Sequence, residues 1–263
     1  MTVTQTLNIP RPQKRRLVDT RGALITSSAL LITLVLWQLA VWIFNIPNFI
    51  LPSPLLILAE AEWGIVLAAA TQTILSVLLG FAVGNLVGFA LAVAISASPL
   101  LSNIIYPGAI VVRSVPVVAL APFITLAFGR GAMATVVVAA MIVFFPTLIN
   151  SLQGLKSVST ESMELMKVLN ASRLTRYTRL RIPASMPSFF SALRIAAPNA
   201  VLGVMTAEWI VGGGLGHLII TSWLALRMPT MWGAVIASAV IAALLFSLVA
   251  LAERFVIGWA KTT

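Results

Sequence analysis

Cysteine is absent from the 263 residues, and His217 is the only histidine. No disulfide, thiolate nucleophile or thiolate metal site is therefore available, and a polyhistidine metal cluster is excluded. Acidic side chains are also scarce, with Asp and Glu totalling 7. No hydrophobic run holds a pair of carboxylates, so the usual carriers of intramembrane proton coupling are missing. A membrane enzyme would need clustered Asp, His, Ser or Cys, and these counts leave almost nothing to build it from. Charge of either sign occupies 9% of positions, where a soluble domain would carry roughly 25%.

What fills the chain instead is apolar, at 60% of residues. Residues 63–112 contain no charged side chain at all. One bilayer crossing takes about 20 residues as a helix, which leaves room for five or six crossings and little else. The expectation is an all-α membrane protein with about six spans, near 23–44, 65–95, 103–128, 132–152, 187–207 and 232–252. Pro47, Pro52, Pro54, Glu60 and Glu62 mark the first outer connection. Gly80, Gly84 and Gly88 form a small-residue stripe suited to close helix packing. Pro107, Pro116 and Pro122 predict a kinked or broken third span. Gly129, Arg130 and Gly131 read as a tight outer turn, and the glycine-rich stretch 208–227 as an outer segment, re-entrant in one reading.

Thirteen of the 17 basic residues fall in three places. Arg11, Lys14, Arg15, Arg16 and Arg21 precede the first span. Lys156, Lys167, Arg173, Arg176, Arg179 and Arg181 lie between the fourth and fifth, and Arg254 and Lys261 end the sequence. The positive-inside rule puts all three in the cytoplasm, giving an arm 1–22, a membrane domain 23–256 with a cytoplasmic loop 153–185, and a tail 257–263. Both termini then face the cytoplasm. Nucleic acid is not an expected partner, since no soluble domain exists to present a groove. The apolar segment after the arm is too long for a cleaved signal sequence and reads as the first span.

The loop carries its own helix signals. Ser159 or Thr160 can cap a short helix with Glu161 in the first turn. That helix would continue through Glu164 and Lys167 to about Leu169, where Asn170 is a suitable left-handed terminator. Ser172 can cap a second short helix, and Ile182 with Pro183 would end the unit. Met163, Leu165, Met166, Val168 and Leu169 give a soft apolar face, which suits either a docking knob or an element lying on anionic lipid.

This loop resembles that of the inner-membrane permeases of bacterial binding-protein-dependent ABC importers. Glu164, Leu165 and Met166 stand where those proteins have Glu-Ala-Ala, Asn170 stands at their glycine, and Ile182-Pro183 matches their hydrophobic-Pro pair. Other segments resemble the nitrate, sulfonate, taurine and pyrimidine-precursor branch: Leu51-Pro52-Ser53-Pro54, Arg113-Ser114-Val115-Pro116, Ala119-Leu120-Ala121-Pro122, Phe128-Gly129, Ala207-Glu208 and Gly213-Gly214-Leu215-Gly216. The likeness covers roughly residues 50–256. It implies the type I importer permease fold and a subunit with no ATP chemistry of its own. ATP and magnesium would be bound by a separate cytoplasmic ATPase. A periplasmic or lipid-anchored binding protein would deliver a small solute, and a second permease copy would complete the pathway in the bacterial inner membrane. Glu161, Glu164, Leu165, Met166, Lys167, Asn170 and Pro183 become the candidates for coupling to the ATPase.

Pathway or gating candidates are Arg113, Pro116, Pro122, Glu208, Gly213, Gly214 and Gly216. Arg113, a charge inside an apolar span, suits a gating role, a contact to an anionic substrate, or snorkelling to the headgroups. Arg194 reads as a snorkelling side chain. Glu208 suits either a cap on the glycine-rich segment or a contact to the binding protein. The glycines lack the Lys and Ser/Thr of a phosphate loop and read as flexible or closely packed backbone. The competing class is a stand-alone carrier or channel, which would transport without an ATPase.

Overall fold

Three glycines set how closely the central helices approach one another. In the computed structural model, which describes residues 20–98, 104, 108 and 116–257, α3 (Trp63–Ser96) packs along α5 (Ala132–Lys156). A Cβ added to Gly80 would lie 2.5 Å from the Ala139 Cβ, and one at Gly88 would lie 2.9 Å from the Phe144 carbonyl oxygen. Any side chain at these positions would push the helices apart, and in lipid that close packing is a main source of helix association. Two polar pairs cross the same interface: the Thr135 hydroxyl donates to Ser76 Oγ at 3.0 Å, and the Thr147 hydroxyl donates to Asn85 Oδ1.

The remaining elements are arranged around this pair. Helix α1 (Thr20–Ile43) leads to a short α2 (Pro54–Glu60). The latter starts because Ser53 accepts the Leu56 N–H and Pro54 needs no donor at the first helical position. The sequence reading had only a connection there. Trp37 of α1 packs on Trp232, with ring centroids 5.2 Å apart. Helix α4 (Val117–Phe128) is followed by the turn at Gly129 and Gly131, both at positive φ. Next come α5, the short α6 (Thr160–Val168), α7 (Arg173–Arg176), a π turn (Tyr177–Arg181) and α8 (Ile182–Val211). Helices α9 (Gly214–Leu224) and α10 (Met228–Val256) complete the described chain. The main core joins α3, α5, α8 and α10 through small side chains such as Ala139, Ala196, Ala197 and Ala200, all fully buried.

The result is an all-α, multi-pass membrane architecture. Among the described residues, four helices are long and apolar enough to cross a bilayer: Trp63–Ser96, Ala132–Lys156, Arg173–Val211 and Met228–Val256. The expected first and third spans contribute the shorter apolar helices Ser27–Ile43 and Ala119–Phe128. Pro116 accounts for part of this, since it takes extended geometry as the N-cap and α4 begins directly after it. Helix α9 has 11 residues, about 16 Å of rise, and is too short to cross.

One expectation is corrected. Ile182 and Pro183 do not end the loop's second helix, because Arg173–Val211 runs as one continuous helix. Proline lacks an N–H, and its ring crowds the carbonyl four residues back. A wider turn directly ahead of it, in which the Ile182 N–H reaches the Tyr177 carbonyl, accommodates both without a break.

Candidate functional site

The loop helix α6 is fixed at both ends by groups close in sequence. Ser159 Oγ accepts the Ser162 N–H at 3.3 Å. At the other end the Ala171 N–H donates to the Met166 carbonyl at 3.0 Å, and the Asn170 N–H to the Lys167 carbonyl at 2.9 Å. With Asn170 at φ 53°, this is a Schellman closure, in which the residue after the helix must be left-handed. Asn170 therefore takes the left-handed conformation that glycine adopts most readily. Glu161 sits in the first turn, and its own backbone N–H, then the Ser159 hydroxyl, hold its carboxyl below the usual carboxylate range.

This well-capped helix is only partly buried, at Ser162, Met163 and Met166. No residue of α6 is buried, and Leu165, Val168 and Leu169 are 60%, 83% and 67% exposed. Glu164 and Lys167 are exposed beside them. The arrangement presents apolar and charged groups outward, Leu165, Val168, Glu164 and Lys167 all exposed among the described residues. Ser172 caps α7 by accepting the Thr175 N–H at 3.1 Å. The π turn is then fastened to the end of α3. Arg181 Nη1 donates to the Ser96 carbonyl at 3.3 Å and to the Tyr177 hydroxyl at 2.8 Å, and its guanidinium lies 5.0 Å from the Tyr177 ring centre. Pro183 lies beyond this anchor, within α8.

Helix α8 has 30 residues, about 45 Å of rise. At its far end stands a second constellation. Glu208 is 2% exposed. Its Oε1 accepts the Thr73 hydroxyl at 2.8 Å and its Oε2 accepts the Gly216 N–H at 2.8 Å. Thr73 Oγ1 in turn accepts the Leu215 N–H at 2.8 Å, and Gln72 Oε1 accepts the Gly214 N–H at 3.0 Å. Three otherwise orphaned donors at the start of α9 are thereby satisfied, with a carboxylate at the positive end of the helix. Gly212, Gly213 and Gly214 all have positive φ, which lets the chain reverse between α8 and α9. A Cβ at Gly216 would lie 2.9 Å from the Glu208 Cβ.

Glu208 is thus enclosed and bonded to the start of α9, the arrangement that the cap reading describes. Glu208, Gly214 and Gly216 come together, with Gly213 at the exposed edge. Pro116 caps α4 and Pro122 lies within it, both outside this cluster, and Arg113 lies outside the described residues. Arg194 is ion-paired with Glu253 of α10, so snorkelling is not its sole arrangement. Gln72, Thr73, Ser96 and Tyr177 were not singled out from sequence. The polar pair Gln72-Thr73 inside a charge-free run was the available signal. Among the described residues no cluster of His, Cys, Asp and Glu is placed to hold a metal.

Comparison with known proteins gives the family and the fold. Residues 84–258 match the model of the family described as binding-protein-dependent transport system inner membrane component. A probable ABC transporter permease protein of Haemophilus influenzae is 32% identical over 86% of this chain and 94% of its own length. A formylaminopyrimidine transport permease protein of Halalkalibacterium halodurans is 27% identical over 88% of this chain and 94% of its own. A chain from inward-facing structures of a methionine ABC transporter superposes with a TM-score of 0.57 at 18% identity, covering 76% of this chain and 96% of that one.

Proposed function

The chain belongs to the family of binding-protein-dependent transport system inner membrane components, and on that premise we propose how its two ends divide the work of an importer. The protein is a permease subunit of an ABC-type importer, related to the nitrate, sulfonate, taurine and pyrimidine-precursor branch. It forms a translocation pathway coupled to an ATPase and is not itself a catalyst.

Within that frame, the loop 153–185 is the coupling element. The observation that carries this reading is a doubly capped helix with no buried residue. A short helix capped at both ends, with no residue fully buried among the described residues, is suited to insertion into a groove on another chain. Leu165 and Met166 supply the apolar contact, Glu161, Glu164 and Lys167 the polar rim, and Asn170 the closure. Movement of the ATPase then reaches α8 through the anchored π turn and Pro183. ATP binding shifts the permease between inward- and outward-open populations only as far as the ATPase prefers one of them.

At the outer end, Glu208 and the glycines hold α9 as part of the gate, with Pro116 and Pro122 shaping α4 beside the pathway and Arg113 serving the gate from within the membrane. The domain division is that of the sequence reading, with the arm and tail in the cytoplasm, six spans, and the loop on the cytoplasmic side. A second copy of this chain completes the pathway. A periplasmic or lipid-anchored binding protein supplies the solute and most of the selectivity, and ATP and magnesium belong to the partner ATPase.

Affinity purification from native membranes in mild detergent tests the coupling. A nucleotide-binding ATPase should co-purify with the wild type and be lost with Glu164→Arg. Arg113→Ala should retain the ATPase and lose uptake. ATPase recovery unchanged by Glu164→Arg and by Leu165→Asp would sink the coupling assignment. Solute movement by purified chain with no ATPase at all would favour a stand-alone carrier.

A further inference from the structure

A cleft of about 710 Å³ opens between the last turns of α3, Met163 of α6, and the stretch from Arg173 to Ile182. Three arginines line it, Arg173, Arg176 and Arg181, and among the described residues no acidic side chain does. Arg181 is already engaged, donating to the Ser96 carbonyl and the Tyr177 hydroxyl. Arg176 is different: its Nε is buried with no hydrogen-bond partner among the described residues. An unpartnered donor on a guanidinium costs free energy that a bound anion would recover. Guanidinium groups are suited to phosphate, whose oxygens accept paired N–H bonds.

The other wall of the cleft says which kind of phosphate. Val93, Ala94 and Ala97 form it, and they continue an exposed apolar stripe up α3. Leu79, Val83, Leu86 and Ala90 recur every three or four residues and are all exposed. The stripe lies on a membrane-crossing helix and ends at the arginines. A soluble anion would use the charges and leave the stripe idle. An acyl chain lying along α3 with its headgroup among Arg173 and Arg176 uses both.

We propose that this cleft is a binding site for one anionic phospholipid, with its phosphate held by Arg173 and Arg176 and an acyl chain on the Leu79–Ala94 stripe of α3. Its place in the cytoplasmic leaflet rests on the importer reading, but the site itself does not depend on it.

The full chain in mild detergent, without ATPase, is mixed with equal amounts of phosphatidylglycerol and phosphatidylcholine, and retained lipid is read by native mass spectrometry. Phosphatidylglycerol should be retained preferentially. Arg173→Gln/Arg176→Gln should weaken its retention by roughly thirtyfold, the factor carried by two basic side chains near a bilayer surface. Arg173→Lys/Arg176→Lys keeps the charge but loses the paired N–H donors and should retain the lipid less well than the wild type and better than the Gln variant, while Arg130→Gln, in the turn after α4, should change nothing. Monodispersity by size exclusion checks that each variant is folded. Equal retention of the two lipids by the wild type would overturn the proposal, as would unchanged retention in the Gln variant. Displacement of the lipid by excess inorganic phosphate would also overturn it, since that would identify a free-anion site. Because no ATPase is present, failure here leaves the coupling assignment standing, and failure of the ATPase purification leaves this one standing.

Discussion

Asn170 shows how one residue can depart from a family pattern and keep its physics. Its left-handed φ of 53° closes the Schellman turn after α6. Glycine reaches that conformation without steric cost, and asparagine with little. A β-branched side chain cannot, so Asn170→Val should destabilise the loop helix by about 1–2 kcal/mol, whereas Asn170→Gly should be close to neutral. Amide hydrogen exchange across residues 160–171 reads this directly. Faster exchange in the Val variant and wild-type exchange in the Gly variant are expected, and equal protection in all three would show that the closure does not depend on residue 170. Glu161 acts at the same helix from the other end. Its lowered carboxyl adds stability that is fully present above the ordinary carboxylate range and is lost as pH falls through the lowered value.

At the scale of elements, α9 depends on groups distant in sequence. Its first N–H donors go to Glu208 of α8 and to Gln72 and Thr73 of α3. Glu208→Ala leaves the Gly216 N–H and the Thr73 hydroxyl buried without their acceptor, a loss of about 1–3 kcal/mol. Glu208→Gln retains an acceptor oxygen and should lose less. Thermal unfolding in detergent should rank wild type above Gln above Ala, with uptake falling in the same order. An Ala variant as stable as wild type would remove the cap from the account. The contrast with α6 explains what the sequence made legible. The caps Ser159 and Ser172 act on donors three residues away, so local pattern sufficed. The glycine run reads from sequence as flexible or closely packed backbone, and Glu208 as either a cap or a contact to the binding protein, but Thr73 meets Glu208 across 135 positions, and no local pattern carries that pairing. The π turn was missed because Pro183 signals a stop in any local reading; only its accommodation in three dimensions reveals a helix that continues. Helix α2 was missed for a related reason, as its prolines mark a turn and a helix start equally well.

For the whole molecule, the two ends matter because one continuous helix spans the distance between them. Helix α8 leaves the anchored π turn at the loop and arrives at Glu208 about 40 Å away, so displacement of the loop has a direct mechanical route to α9. That route is useful only if the ends face opposite compartments. The distribution of basic residues predicts that they do, with the loop and both termini inside and the Gly129–Gly131 turn outside. The absence of cysteine makes the test clean, since any introduced thiol is the only one in the chain. Single substitutions Thr4→Cys, Arg130→Cys, Thr160→Cys and Thr262→Cys can each be probed with a membrane-impermeant maleimide. Arg130→Cys should label in intact cells exposed at their outer surface, and the other three only after permeabilisation. Labelling of Thr160→Cys from outside would invert the molecule and detach the loop from any cytoplasmic ATPase. Labelling of only one terminus from outside would mean an odd number of crossings, placing the error in the first or third expected span, where the described apolar helices are shortest.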